Sequence, residues 1–208
     1  MTADETTIAF YDAEGAAYAE WSAPLGDYAW LEKFLAMTPE DGRLLDYGCG
    51  GGWATKRMAE AGRRVEAFDG SAALAEEASK LTGLNVRVMR FEGFREEDRF
   101  DGIWASFCLL HAPKAEMPKN LAAIGRALRP GGLFYLGLKA GTGERRDSLG
   151  RFYSYFSSDE IRGLLSGAGF ADIDIREKQG GGYDGVAEEV MHIFCRKPHD
   201  PPGGGRGG

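Results

Sequence analysis

Cysteine and histidine are scarce: three of each occur in 208 residues. Cys49, Cys108 and Cys195 form no CxxC pair, and His111, His192 and His199 are too scattered for metal-ligand spacing, so no metal site is expected. An odd number of cysteines suits a reducing compartment, and a cytoplasmic location is expected. Long apolar runs are missing too. No stretch approaches the ~20 apolar residues that span a bilayer, so no membrane contact is expected. The N-terminus MTADETTIAF has neither the basic region nor the apolar core of a signal peptide, and none is expected. Positive charge is in deficit. A formal charge of −7 repels a polyanion at long range, which disfavours nucleic acid as a partner, although a local basic patch would still dock one. Two phosphate-binding signatures fail: there is no GxxxxGK[ST] loop, and the glycine cluster that follows the first apolar run does not have the spacing GxGxxG.

What is present is an alternation of strand and helix. RLLDY (43–47), RVEAF (64–68), NVRVMRF (85–91), DGIWAS (101–106) and LFYLGL (133–138) read as strands. Helices are expected in WATKRMAEAG, stopped at Gly62, and in SAALAEEASK, capped by Ser71. A third follows over 116–128, with Met117, Leu121, Ile124 and Leu128 on one face. Residues 140–157 read as a loop, followed by a helix capped at Ser157 or Ser158. ADIDIREK (171–178) and VMHIFCRK (190–197) are then strands joined too closely for a crossover helix, so they pair antiparallel. The expected fold is α/β: a single-domain, Rossmann-like, seven-stranded sheet of five parallel strands plus a C-terminal antiparallel hairpin, with helices on both faces. Residues 1–40 are expected to form a helical lid segment, 41–197 the core, and 198–208 a disordered tail.

The segment LLDYGCGGGW (44–53) carries the chemistry. A strand holding Asp46 turns through Gly48, Gly50 and Gly52 into a helix, where glycine permits positive φ and lets a ligand reach the backbone. Open α/β sheets bind ligands at this carboxyl edge, and helix N-termini there favour anions. Asp69, closing the second strand beside Gly70 and Ser71, is placed to accept hydrogen bonds from ribose hydroxyls; it would equally serve as a turn residue. Counting from Gly48 or from Gly50, the sixth position is Trp53 or Thr55, so the dinucleotide fingerprint fails.

With these features the chain resembles the class I (Rossmann-like) S-adenosylmethionine-dependent methyltransferases. Their first motif is an acid followed by GxGxG, matched by Asp46, Gly48, Gly50 and Gly52. Asp69, the Phe100-Asp101-Gly102-Ile103 pattern and the turn from Leu128 to Gly132 follow in the family's order. Within the class it is similar to small bacterial tellurite-resistance-like methyltransferases. The resemblance implies S-adenosyl-L-methionine as cofactor and S-adenosyl-L-homocysteine as product. It implies that Gly48 and Gly50 approach the methionine part, with Asp46 at the strand edge, and that Asp69, Gly70 and Ser71 surround the ribose. Phe91 and Glu92 would take the adenine, where the commoner pattern has an Asp; Ala105 and Ser106 would border the cofactor, with Ser106 or Phe107 next to the methyl group.

Tyr11 and Tyr18 lie seven residues apart, on one face of a helix, and are expected to close over the cofactor or simply to pack on the core. His111 is a candidate general base with Tyr18 a second catalytic candidate; a structural role for His111 is favoured. Lys139, Arg145, Arg146, Arg151 and Tyr153 cluster after the fifth strand as a candidate acceptor site. Arginine forks suit carboxylates or phosphates, so a small anionic acceptor is a reasonable expectation, although Glu144 and Asp147 could pair with them instead. The expected activity is methyl transfer to a small molecule by in-line displacement. A tRNA wobble-uridine methyltransferase and a non-catalytic cofactor-binding sensor are the alternatives.

Overall fold

The computed structural model describes residues 4–22, 28–181, 183 and 185–199. The tail from residue 200 onward, expected to be disordered, lies outside the described residues, as do parts of the lid segment.

Two N-terminal helices, α1 (Glu5–Ser22) and α2 (Tyr28–Ala36), precede the alternating core. The core then runs β1 (Arg43–Tyr47), α3 (Trp53–Glu60), β2 (Arg64–Asp69), α4 (Ala72–Thr82) and β3 (Arg87–Val88). It continues through β4 (Phe100–Ser106), α5 (Met117–Ala127) and β5 (Leu128–Lys139). A small hairpin, β6 (Glu144–Arg146) and β7 (Phe152–Ser154), leads to α6 (Ser158–Gly167), β8 (Ala171–Gly181) and β9 (Ala187–Arg196). Seven strands form one sheet in the order β3-β2-β1-β4-β5-β9-β8. β1 to β5 pair in parallel, and β9 runs antiparallel to both β5 and β8. This is the expected α/β sheet with its C-terminal hairpin.

The period of two in the strands explains the layers. Leu44, Trp104, Tyr135 and Phe194 pack on the face covered by α2 and α3, with Leu31, Phe34 and Met58. Leu45, Ile103, Phe134 and Ile193 pack on the opposite face with Leu121, Ile124, Ile161 and Leu165 of α5 and α6. Strands buried on both faces read as continuous apolar runs, which is why β4 and β5 were legible. Ser71 caps α4 by accepting the Leu74 N–H at 3.2 Å, and Ser157 caps α6 through Glu160.

Three expectations change. The third strand is two residues long rather than seven, because it lies at the sheet edge with only β2 beside it and the chain then turns to seat Phe91 on Tyr47. Residues 140–157 contain β6 and β7, paired Glu144↔Ser154, Arg145↔Tyr153 and Arg146↔Phe152, in a stretch whose charges hid the alternation. β8 and β9 also extend further toward their turn than the apolar pattern suggested, because polar residues continue the ladder from Gln179↔Glu189 to Gly181↔Ala187.

Candidate active site

The carboxyl edge of the sheet opens onto a cavity of about 480 Å³ that α1 covers and the turn ends of β8 and β9 flank. At one end stands the glycine loop. Gly48 and Gly50 hold φ of +70° and +55°, the left-handed region that side chains disfavour. A Cβ on Gly48 would stand 2.5 Å from Cβ of Cys108, whereas one on Gly50 would project into the cavity, its nearest neighbour being Cε1 of Tyr18 at 3.9 Å. Packing demands the first glycine. The second leaves bare backbone facing a ligand.

Asp69 braces that loop. Its Oδ2 accepts the Gly50 N–H at 2.8 Å and its Oδ1 the Ser71 N–H at 2.9 Å, while it lines the cavity. Burial raises its carboxyl above the ordinary range, and the N–H groups of Ser71, Gly50 and Gly70 work against that shift. Phe91 stacks on Tyr47 (centroids 5.2 Å apart, 19° between planes) and presents its remaining surface to the same space.

α1 is stitched over the cavity from both sides. Thr7 Oγ1 accepts the Phe152 N–H at 2.9 Å, Arg146 donates to Asp4 at 2.8 Å, and Ser71 Oγ donates to Asp12 at 2.6 Å. Arg90 also pairs with Glu5. The Arg146 fork holds Asp4 down to about 2. Tyr11 lies between His111 and Arg151, with Oη 3.0 Å from His111 Nε2 and 3.3 Å from Arg151 Nη1. His111 Nδ1 lies 2.7 Å from the Phe152 carbonyl. A carbonyl only accepts, so Nδ1 carries the proton and Nε2 accepts the Tyr11 hydroxyl. Burial pulls His111 down to about 4, so the ring is neutral near pH 7.

At the far end, Lys139, Tyr153, Glu188 and His192 line the wall. Lys139 pairs with Glu188 and lies 3.9 Å from the Tyr153 ring centroid, and Tyr155 Oη donates to Glu188 at 3.0 Å. His192 stacks on Trp30 at 4.8 Å, with Nδ1 2.6 Å from Tyr135 Oη. Phe107 sits between the two ends at φ +54°, a strained conformation for a non-glycine residue. Its ring fits because Gly137 has no Cβ, which would lie 3.2 Å away.

The sequence-predicted residues divide accordingly. Tyr11, Tyr18, Gly48, Gly50, Asp69 and Gly70 line the cavity; so do Phe91, Ser106, His111, Lys139 and Tyr153. Asp46 stands behind the loop, where its Oδ2 accepts the Thr55 hydroxyl at 2.6 Å and burial raises it to about 7. Ser71 is spent on capping, Ala105 is wholly buried in the core, and Glu92 is exposed. The arginines do not face the cavity. Arg146 pairs with Asp4, Arg151 with Asp147 at 2.6 Å, and Arg145 lies on the Tyr155 ring with a 3.5 Å approach to Glu188. Sequence reasoning named Phe107 beside the methyl group but missed Glu188 and His192. Only the β5–β9 register, Gly137↔His192 and Lys139↔Val190, brings the last two to the site. Among the described residues, no group of three His, Cys, Asp or Glu could hold a metal, and no helix is long and apolar enough to cross a membrane.

Comparison with known proteins agrees with this fold. A family model described as a methyltransferase domain matches residues 18–175. The chain is 35% identical over 140 residues to the cypemycin N-terminal methyltransferase of a Streptomyces species, covering 64% of this chain and 54% of that protein. It is 33% identical over 141 residues to the protein-L-isoaspartate O-methyltransferase of Methylorubrum populi, covering 60% of this chain and 66% of that protein. The chain spans about half the length of the first two curated relatives it matches. In structure it is similar to the 1,6-didemethyltoxoflavin-N1-methyltransferase of Burkholderia thailandensis, solved with that acceptor and S-adenosylhomocysteine. The TM-score is 0.68 and the identity 25%, over 91% of this chain and 88% of that one. The chain therefore belongs to the methyltransferase domain family and has the Rossmann-like fold of the class I S-adenosylmethionine-dependent methyltransferases.

Proposed function

We propose that the protein transfers a methyl group from S-adenosylmethionine to a small molecule bound in the same cavity. One observation carries this reading: the bare backbone at Gly50, the Asp69 carboxylate and the tyrosines of α1 line one cavity. The residues fit the cofactor. Gly48 to Gly51 would receive the methionine part, Asp69 the ribose hydroxyls and Phe91 a face of the purine, with Tyr11 and Tyr18 over the sulfonium end. When bound, S-adenosylmethionine supplies an electrophilic methyl group already joined to a good leaving group.

The chain's own contribution is alignment and exclusion of water. α1 acts as a lid, held shut by Asp4, Thr7, Tyr11 and Asp12. His111 serves to hold that lid, because its Nδ1 donates to Phe152 and its Nε2 is engaged by Tyr11. The cavity volume lies in the lower half of the range for a single drug-sized ligand, so the space beside a bound cofactor suits only a small acceptor.

Calorimetric titration with S-adenosylhomocysteine, with NADH in parallel, tests the cofactor. Binding of S-adenosylhomocysteine alone is expected, and binding of NADH alone would overturn the reading. Asp69→Ala is expected to weaken S-adenosylhomocysteine by roughly ten-fold or more with the circular dichroism spectrum retained, since charge-assisted hydrogen bonds are lost. Unchanged affinity in the folded variant would remove Asp69 from the ribose site.

A further inference from the structure

At the end of the cavity away from the glycine loop the buried charges pair with each other, while the exposed Lys178, which also lines the cavity, lies 5.9 Å from the Trp30 ring centroid. Lys139, 6% exposed, forms an ion pair there with Glu188. The arginines that would have made the site cationic are spent on Asp4, Asp147 and the Tyr155–Glu188 corner. A carboxylate or phosphate entering this space must compete with Glu188 for Lys139, inside a buried pair whose disruption leaves a charge uncompensated. A cationic ligand meets the Lys139 ammonium. An uncharged ligand avoids both costs.

The walls also select shape. Tyr18 and Trp21 of α1, Phe107 after β4 and Tyr153 of β7 all line the cavity, with ring centroids of Tyr18 and Trp21 5.7 Å apart. Flat π surfaces favour a flat partner through offset or edge-to-face contact. One buried donor belongs to a residue of the wall. The Trp104 indole N–H is fully buried, lines the cavity and has no hydrogen-bond partner among the described residues. Such a group gains from a ligand that brings an acceptor atom. Lys139 likewise offers donors and Glu188 an acceptor.

We propose that the methyl acceptor is an uncharged, planar aromatic or heteroaromatic molecule whose polar edge sets a hydrogen-bond acceptor beside a donor, read by the Lys139–Glu188 pair. This rests on the methyltransferase reading above. The pair would act on ligand selection by charge balance: the ammonium approaches the acceptor atom, the carboxylate receives the donor, and neither partner is freed.

Three isosteric probes read this directly on protein saturated with S-adenosylhomocysteine: benzamide, benzoate and benzamidine, which share a shape and differ in charge. Ligand-observed NMR and calorimetry are expected to rank benzamide roughly ten-fold above both charged probes, as complementary charge sets specificity. Glu188→Gln leaves Lys139 uncompensated and should reverse the order, so that benzoate binds best. Adding Lys139→Met to Glu188→Gln should restore benzamide to first place, which separates charge balance from general damage. A wild-type preference for either charged probe overturns the proposal, as does an order unmoved by Glu188→Gln. Failure of all three probes to bind protein that does bind S-adenosylhomocysteine also overturns it. Failure to bind S-adenosylhomocysteine would instead sink the methyltransferase reading beneath it.

Discussion

The glycine loop and the β6–β7 hairpin both stand out in the sequence, the first for glycine and the second for arginine, yet they act in opposite ways. The loop presents its backbone to the cavity, and Gly50 leaves room there that any side chain would fill. The hairpin turns its charges away from the cavity and uses them on α1 and on itself, through Arg146–Asp4 and Arg151–Asp147. A backbone requirement is local and points where the chain points. A charge is satisfied by whatever opposite charge the fold brings near, so a cluster of arginines does not disclose its partners.

The contrast can be broken at its strongest point first. Gly50→Val should abolish measurable S-adenosylhomocysteine binding, a loss of about a thousand-fold or about 4 kcal/mol, because it strains a φ of +55° and fills the ligand's space. Near-normal binding by calorimetry would mean that the loop faces nothing. Arg151→Leu should act on stability instead. Its side chain and that of Asp147 are 1% and 5% exposed, so stranding the carboxylate should cost about 3 kcal/mol in urea unfolding. If stability held and acceptor affinity fell, the hairpin would be a binding element after all.

His111 sharpens the comparison through pH. Its folded value of about 4 lies below the ordinary 6.5, so the unfolded chain takes up the proton first as the solution is acidified. Stability from this group is therefore complete above about pH 6.5 and is lost as pH falls toward 4. Between pH 7 and 5 the loss is about 2 kcal/mol, from about 1.5 units at ~1.4 kcal/mol each. Asp46, raised to about 7, has the opposite slope over roughly the same range, so the measurement is a difference. Wild type minus His111→Asn should retain the acid-side loss; parallel curves would show that His111 is not buried neutral. The smallest effect is expected for Arg146→Ala, which cuts an exposed tie to the lid. S-Adenosylhomocysteine affinity should fall roughly two- to three-fold, and benzamide affinity on the loaded protein should not move. The reverse pattern would return Arg146 to the acceptor site.

Much of the site is legible in the sequence alone. Positive φ at Gly48 and Gly50, the end of β2 at Asp69 and the shared face of Tyr11 and Tyr18 follow from local rules of turn and helix geometry. The acid of the first motif was legible as a residue but not in its placement, since Asp46 points toward Thr55 and not into the cavity. The β6–β7 hairpin escaped notice because each strand is only three residues long and β6 is charged throughout, so no alternation shows.

By itself the sequence determined the alternation of strand and helix, the antiparallel ending and the glycine turn with its acid, because each depends on neighbours within a few residues. Only the tertiary structure decided which charges meet. Lys139 and Glu188 are 49 positions apart, Asp4 and Arg146 142 apart, and Tyr11 and His111 100 apart. Strand register and the seating of α1 bring these pairs together, and the same register ties the buried Lys139 to Glu188.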